Sequence, residues 1–161
     1  MNYLRTILIC TLLYSSSFAQ EVRIPLLVTP EEIGARVITA LKSRDVKPLI
    51  NAVSASGIVV GTDEPKMSAA MFSKQLQQKR GVYCVLMDNA CIGSGSKSTE
   101  DNSLRGLILR QPIKLESHAV GDASGNVEIR VVKEANPRDV IFSIFFEKEK
   151  DVWKIVNIEY I

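Results

Sequence analysis

Apolar residues recur at helical spacing through the first half of this chain and at every other position through the second, a pattern that predicts helices followed by a sheet. Thr29-Pro30-Glu31-Glu32 carries the marks of a helix start: Thr29 as cap, Pro30 in the first turn, and Glu32 completing a capping box. Ile33, Val37 and Leu41 follow at i, i+4 and i+8 with Ile38 beside them, so this helix should run to about Ser43. Asp45 is placed to cap a second helix. Pro48 falls in its first turn, Leu49, Ile50 and Val53 form its buried side, and Gly57 is positioned as a left-handed stop. Ile58-Val59-Val60 reads as a short strand or extended segment, and 62–66 as a turn or loop. Ser68 caps a third helix that buries Phe72 and Leu76 and exits at Gly81. Residues 82–87 are apolar without a clear period, so strand and buried helix are not separated there. The same holds for 104–111.

From Ile113 the period changes to alternation, and residues 113–120, 127–133, 140–147 and 152–161 read as strands. Turn-forming residues at 121–126, 135–139 and 148–151 connect them as hairpins, which makes an antiparallel meander. The mixed charges at 147–151 belong to a solvated turn. Phe142, Ile144 and Phe146 share one strand face while Ile141 and Phe145 take the other, so this strand should lie centrally, under the helices. The expected fold class is α+β, with N-terminal helices packed on a curved antiparallel meander. Residues 20–161 form one domain with no repeat or linker.

Helices first, then a meander ending in a Phe-rich strand, a charged turn and Val152-Trp153-Lys154-Ile155-Val156-Asn157-Ile158, resembles the nuclear-transport-factor-2-like (cystatin-like, SnoaL-like) superfamily. The resemblance covers most of the chain in element order and about 20 residues in motif. It implies a cone-like fold with helices in a concave sheet, an apolar pocket in the cone, and a homodimer through the sheet face. The aspartate and tyrosine pattern of the ketosteroid-isomerase-like enzymes finds no match here, and fold alone assigns no function.

The N-terminus adds an address. Met1-Asn2-Tyr3-Leu4-Arg5, an apolar run from Thr6 to Tyr14, and Ser15-Ser16-Ser17-Phe18-Ala19-Gln20 follow the order of a secretory signal peptide, with Ser17 and Ala19 as the small residues before cleavage. Residues 1–19 are therefore expected to be removed, leaving a mature chain from Gln20 in the periplasm or outside the cell. The apolar run is short of the roughly 20 residues a membrane span needs. Cys10 follows the bulky Ile9, which argues against a lipidated cysteine. Losing Arg5 and no acid takes the formal charge from +2 to +1. So balanced a chain has no basic surplus for phosphate, which argues against nucleic acid as a partner.

Candidate chemistry is sparse. Cys84 and Cys91, the cysteines left after processing, are read as a disulfide in an oxidising compartment; the alternative is a buried Cys84 with Cys91 free. Zinc is not expected, because only His118 could add a nitrogen ligand and nothing resembles the paired spacing of a structural site. Residues 88–103 form a long irregular segment rich in Gly, Ser, Asn and Asp, from which Asp88, Asn89, Ser94, Ser96 and Lys97 are the candidate binding residues. Ser94-Gly95-Ser96-Lys97 matches the Ser-x-x-Lys pattern of penicillin-binding enzymes, but the companion motifs are missing. The same loop lacks the glycine spacing of a phosphate-binding loop. His118 stands with Glu116 and Lys114 on the strand face opposite Ile113, Leu115 and Ala119, which alternation turns toward solvent. Were that face to line the cone, Glu116 and His118 would be a general acid–base pair, with Tyr160 as a third member.

No cofactor is implied. The sequence points to an exported bacterial binding or accessory module whose partner is an envelope protein or a small apolar ligand. The alternatives are a small isomerase or hydrolase with an apolar cone pocket, and a secreted inhibitor or immunity-type protein.

Overall fold

The computed structural model describes residues 28–91, 101–121 and 125–160. The expected leader and the candidate loop residues Ser94, Ser96 and Lys97 lie outside them.

Helix α1 (Pro30–Ser43) starts where its sequence dictates. Thr29 Oγ1 accepts the Glu32 N–H at 3.3 Å and the Glu32 carboxylate accepts the Thr29 N–H at 3.3 Å, closing the capping box. Ile33, Val37, Ile38 and Leu41 are its buried stripe, and Arg44 ends it in the left-handed conformation at φ 58°. Helix α2 (Val46–Ala52) is capped by Asp45, which accepts the Lys47 N–H at 3.0 Å. It stops at Ala52 rather than at Gly57, because Val53 and Ser54 leave the helix to join the sheet. Val53 bridges to Ile155 and the Ser54 N–H donates to the Ile155 carbonyl at 2.9 Å. Gly57 instead serves the turn that follows, at φ +103°.

Strand β1 (Val59–Val60) comes next, then α3 (Ala69–Gln77), capped by Ser68, and α4 (Val82–Met87). The run without a period is thus helical, with Val82, Tyr83, Cys84, Leu86 and Met87 all buried. Gly81, at φ 56°, precedes α4 rather than closing α3, which ends at Gln77. Helix α5 (Leu104–Leu109) resolves the second ambiguous run, its start capped by Ser103.

The strands β2 (Ile113–Ala119), β3 (Asn126–Lys133), β4 (Asn136–Glu149) and β5 (Val152–Tyr160) form the expected antiparallel succession. The five-stranded sheet has the order β1-β5-β4-β3-β2, with β1 pairing parallel to β5, so it is mixed rather than a pure meander. The β1 segment covers an edge that β5 would otherwise leave open. Strand β4 is longer than its apolar run. Asn136 to Asp139 join it, fastened by Lys133 Nζ on Asp139 at 3.1 Å and Asn136 Nδ2 on Asp139 at 3.0 Å. At its other end Lys150 (φ 46°) and Asp151 (φ 67°) make the two-residue left-handed turn of a tight hairpin.

Helices cover one face of this sheet. There Ile129, Val131, Phe142, Ile144, Phe146, Ile155 and Ile158 are each at most 1% exposed and belong to one apolar cluster with Leu41, Leu49 and Phe72. Glu31 at the head of α1 reaches Ser117 of β2. The Ser117 hydroxyl, helped by the backbone, holds the Glu31 carboxyl below its usual value.

Candidate functional site

Alternation along the strands decides which polar groups meet. On the face away from the helices, one cross-strand row is Glu116, Arg130, Ser143 and Glu159, and the next is His118, Glu128, Phe145 and Asn157. Glu128 is 8% exposed, low for a carboxylate on an open sheet face. Arg130 grips it with Nε at 2.8 Å and a second guanidinium nitrogen at 2.9 Å, and Ser143 Oγ donates to it at 2.7 Å. Burial pushes its pKa up, but the hydrogen bonds of Arg130 and Ser143 and the charges of Arg130 and His118 outweigh this and hold it below the ordinary value. The stability it contributes is complete above the unfolded glutamate pKa of about 4.3 and is lost as pH falls through the lower folded value. Glu128→Gln should cost roughly 1–2 kcal/mol at pH 7. In urea denaturation the loss should shrink toward zero on acidification; a pH-independent loss would refute this role.

His118 and Glu116 share this open face. His118 Nε2 lies 3.9 Å from Glu116 Oε2, beyond hydrogen-bond range, and the His118 side chain is 41% exposed. Lys114 donates to Glu116 at 3.2 Å. Tyr160 pairs with Phe142 and so stands on the helix-covered face, near Gly61, where burial and the Glu64 charge raise its pKa. The sheet therefore separates Tyr160 from Glu116 and His118.

Asp88 and Asn89 stand at the start of segment 88–103. Asp88 pairs with Arg44 of the α1 cap at 2.9 Å, and the Asn89 N–H points to Asp101 Oδ1 at 3.4 Å. Asp101 also accepts the Ser103 N–H at 3.0 Å, so one carboxylate joins the two ends of the segment. Burial raises its pKa, and the Ser103, Asn89 and Arg105 interactions lower it further than burial lifts it. Cys84 and Cys91 are joined in a disulfide with Cα atoms 5.5 Å apart, tying α4 to the short 3-10 turn Asn89–Cys91.

A groove of about 660 Å³ lies on the flank of the molecule between α1, α2 and the β4–β5 hairpin. Ile33, Val37, Ala52 and Trp153 give it an apolar floor, and Arg36, Lys47 and Lys154 stand around it with Asp45. Small residues on α1 keep that flank of the groove low. Thr39 Oγ1 and Ser43 Oγ turn back to the carbonyls of Ala35 and Thr39, at 2.9 Å each, and so lie close against the helix. Two contacts fix the hairpin wall: Lys154 Nζ donates to the Asn51 carbonyl at 2.9 Å, and the fully buried Ser54 donates its hydroxyl to Glu149. Ser54 in turn holds the Ser56 N–H at 3.0 Å.

Reading the sequence missed Glu128, Asp101, Ser54 and the groove. The one local signal was the spacing Ala35, Thr39, Ser43 on a flank of α1 next to Arg36. Among the described residues no cluster of His, Cys, Asp and Glu is arranged to hold a metal ion, and no helix is long and apolar enough to cross a membrane.

No family model matches the chain, and no curated protein does. Solved structures to which it is similar include a nuclear-transport-factor-2-like protein of unknown function from Pseudomonas putida, at 8% identity over 81% of each chain with a TM-score of 0.41. Another, from Cytophaga hutchinsonii, is 9% identical over 83% of this chain and 89% of its own, with a TM-score of 0.39. A putative calcium/calmodulin-dependent protein kinase type II association domain from Thiobacillus denitrificans is 12% identical over 83% of this chain and 95% of its own, with a TM-score of 0.45. These are distant likenesses of overall arrangement, and they carry no functional weight.

Proposed function

We propose that this chain is an exported, non-enzymatic binding or accessory module of a bacterial periplasm or cell envelope, with its leader removed after Ala19 and residues 20–161 acting as one domain. The observation that carries this reading is an open groove on the flank beside a closely buried sheet face. Phe142, Ile144 and Phe146 pack the helix-covered face with at most 1% exposure, while a groove of about 660 Å³ stands beside α1 and α2. The Cys84–Cys91 bond accords with an oxidising compartment. An acid–base reading would need Glu116 and His118 with a partner in one pocket, and Tyr160 lies across the sheet from them. The segment 88–103 is the second contact surface, because long loops on rigid scaffolds carry function and this one has its base fixed by Asp101 and the disulfide.

Photo-cross-linking in the producing cell tests the reading. A benzophenone side chain at Val152 in the groove wall, or at Asn102 beside the loop, should give a discrete adduct that the same group at the exposed Lys79 does not. No adduct from either position, or equal adducts from all three, would contradict it.

A further inference from the structure

We propose that the groove between α1, α2 and the β4–β5 hairpin docks an extended segment of a partner protein that carries carboxylates beside an apolar anchor. The inference rests on the reading of the chain as a binding module and adds the chemistry of what is bound.

Charge is the first argument. Arg36, Lys47 and Lys154 reach this groove from three elements, against one acid, Asp45, whose Oδ1 already accepts the Lys47 N–H at 3.0 Å. Lys154 is held in place by the Asn51 carbonyl at 2.9 Å, a neutral partner, with Glu147 opposite it on β4. The chain as a whole carries only +2, so the cationic rim is a local excess rather than a reflection of a basic protein. The floor is the second. Trp153 presents a large, rigid aromatic surface of the kind that dominates interface energetics. A phosphate chain would satisfy the rim and leave that floor uncovered. An acidic polypeptide with an apolar side chain satisfies both.

Shape separates a polypeptide from a small amphiphile. Small-molecule sites bury roughly 70–90% of their ligand's surface, which needs walls on most sides. Here the hydroxyls of Thr39 and Ser43 lie back on the helix, leaving the α1 flank low, and the opposite wall is a hairpin end whose Val152 is 53% exposed. A chain lying along such a trough needs no lid, and charge complementarity at the rim sets its register.

Trp153 is the sole tryptophan, so its emission reports on the groove directly. A random octapeptide display library selected against the chain of residues 20–161 should enrich sequences that combine Asp or Glu with Leu, Phe or Trp. Those peptides should shift Trp153 emission and weaken with added salt. They should bind at least about tenfold less tightly to the double variant Arg36→Glu/Lys47→Glu and to Val152→Asp. All three positions are exposed, so the thermal midpoint should stay close to that of the parent chain, which separates lost binding from lost folding. Selected peptides that bind the variants as well as the parent would overturn the proposal. So would dodecanoate filling the groove with the same charge dependence while no peptide binds. So would peptide binding that appears only after residues 20–27 are deleted, since that would make the chain's own lead the occupant. If peptides are selected but map to segment 88–103, the groove assignment falls while the binding module stands. If neither peptide nor dodecanoate binds and no cross-link forms, both fall.

Discussion

Phe142→Ala should destabilise the protein by about 3–5 kcal/mol, the range for emptying a fully buried phenylalanine site. Phe142 is 1% exposed at the middle of β4, the strand with neighbours on both sides, and it faces Val131 and Tyr160 across the sheet. Its ring fills the space under the helices, and sheet neighbours paired on both sides cannot collapse into the gap. Typical domains have only about 5–15 kcal/mol of stability, so this change takes a large share. Phe145, three residues on, points to the open face and is only half-buried, so Phe145→Ala should cost much less. Urea denaturation of the two variants checks the assignment of faces; equal losses would mean that the helices do not cover the Phe142 side.

Gly57→Ala is the second large effect, expected at roughly 1–3 kcal/mol from the backbone alone. Gly57 has φ +103°, a conformation that side-chain-bearing residues rarely adopt, and an added Cβ would sit 2.3 Å from the Met67 carbonyl oxygen. That oxygen accepts the Ile58 N–H at 2.9 Å while the Met67 N–H donates to the Ile58 carbonyl at 2.9 Å. The collision therefore strikes the bridge that leads into β1, and with it the parallel edge pairing of Val59 and Val60 against β5. A lowered denaturation midpoint with faster hydrogen exchange at Ile58 and Met67 is the expected pair of readouts. Wild-type midpoint and exchange would show that this turn relaxes freely.

Local chemistry made much of the fold legible. The capping box at Thr29 and Glu32 needs only four consecutive residues, and the faces of β4 follow from alternation within one strand. What the sequence hid was set by partners far away along the chain. Two residues of β1 are too few to show a period, and their parallel pairing depends on β5, about a hundred positions later. Gly57 looks like a helix stop until Ser54 is seen to bond to Ile155. Glu128 reads as one more acid on a solvent face, because its burial comes from Ser143 and Arg130 closing over it. The groove needs α1, α2 and Trp153 together, and no single stretch of sequence contains it.

Native mass spectrometry of the protein purified from the cell envelope tests the central claim most directly, because one spectrum reports processing, oxidation and cargo together. The expected species begins at Gln20, is two hydrogens lighter than its reduced form, and carries a non-covalently bound partner that the Arg36→Glu/Lys47→Glu variant loses. A bare chain that still holds residues 1–19 and has free thiols at Cys84 and Cys91 would contradict the account.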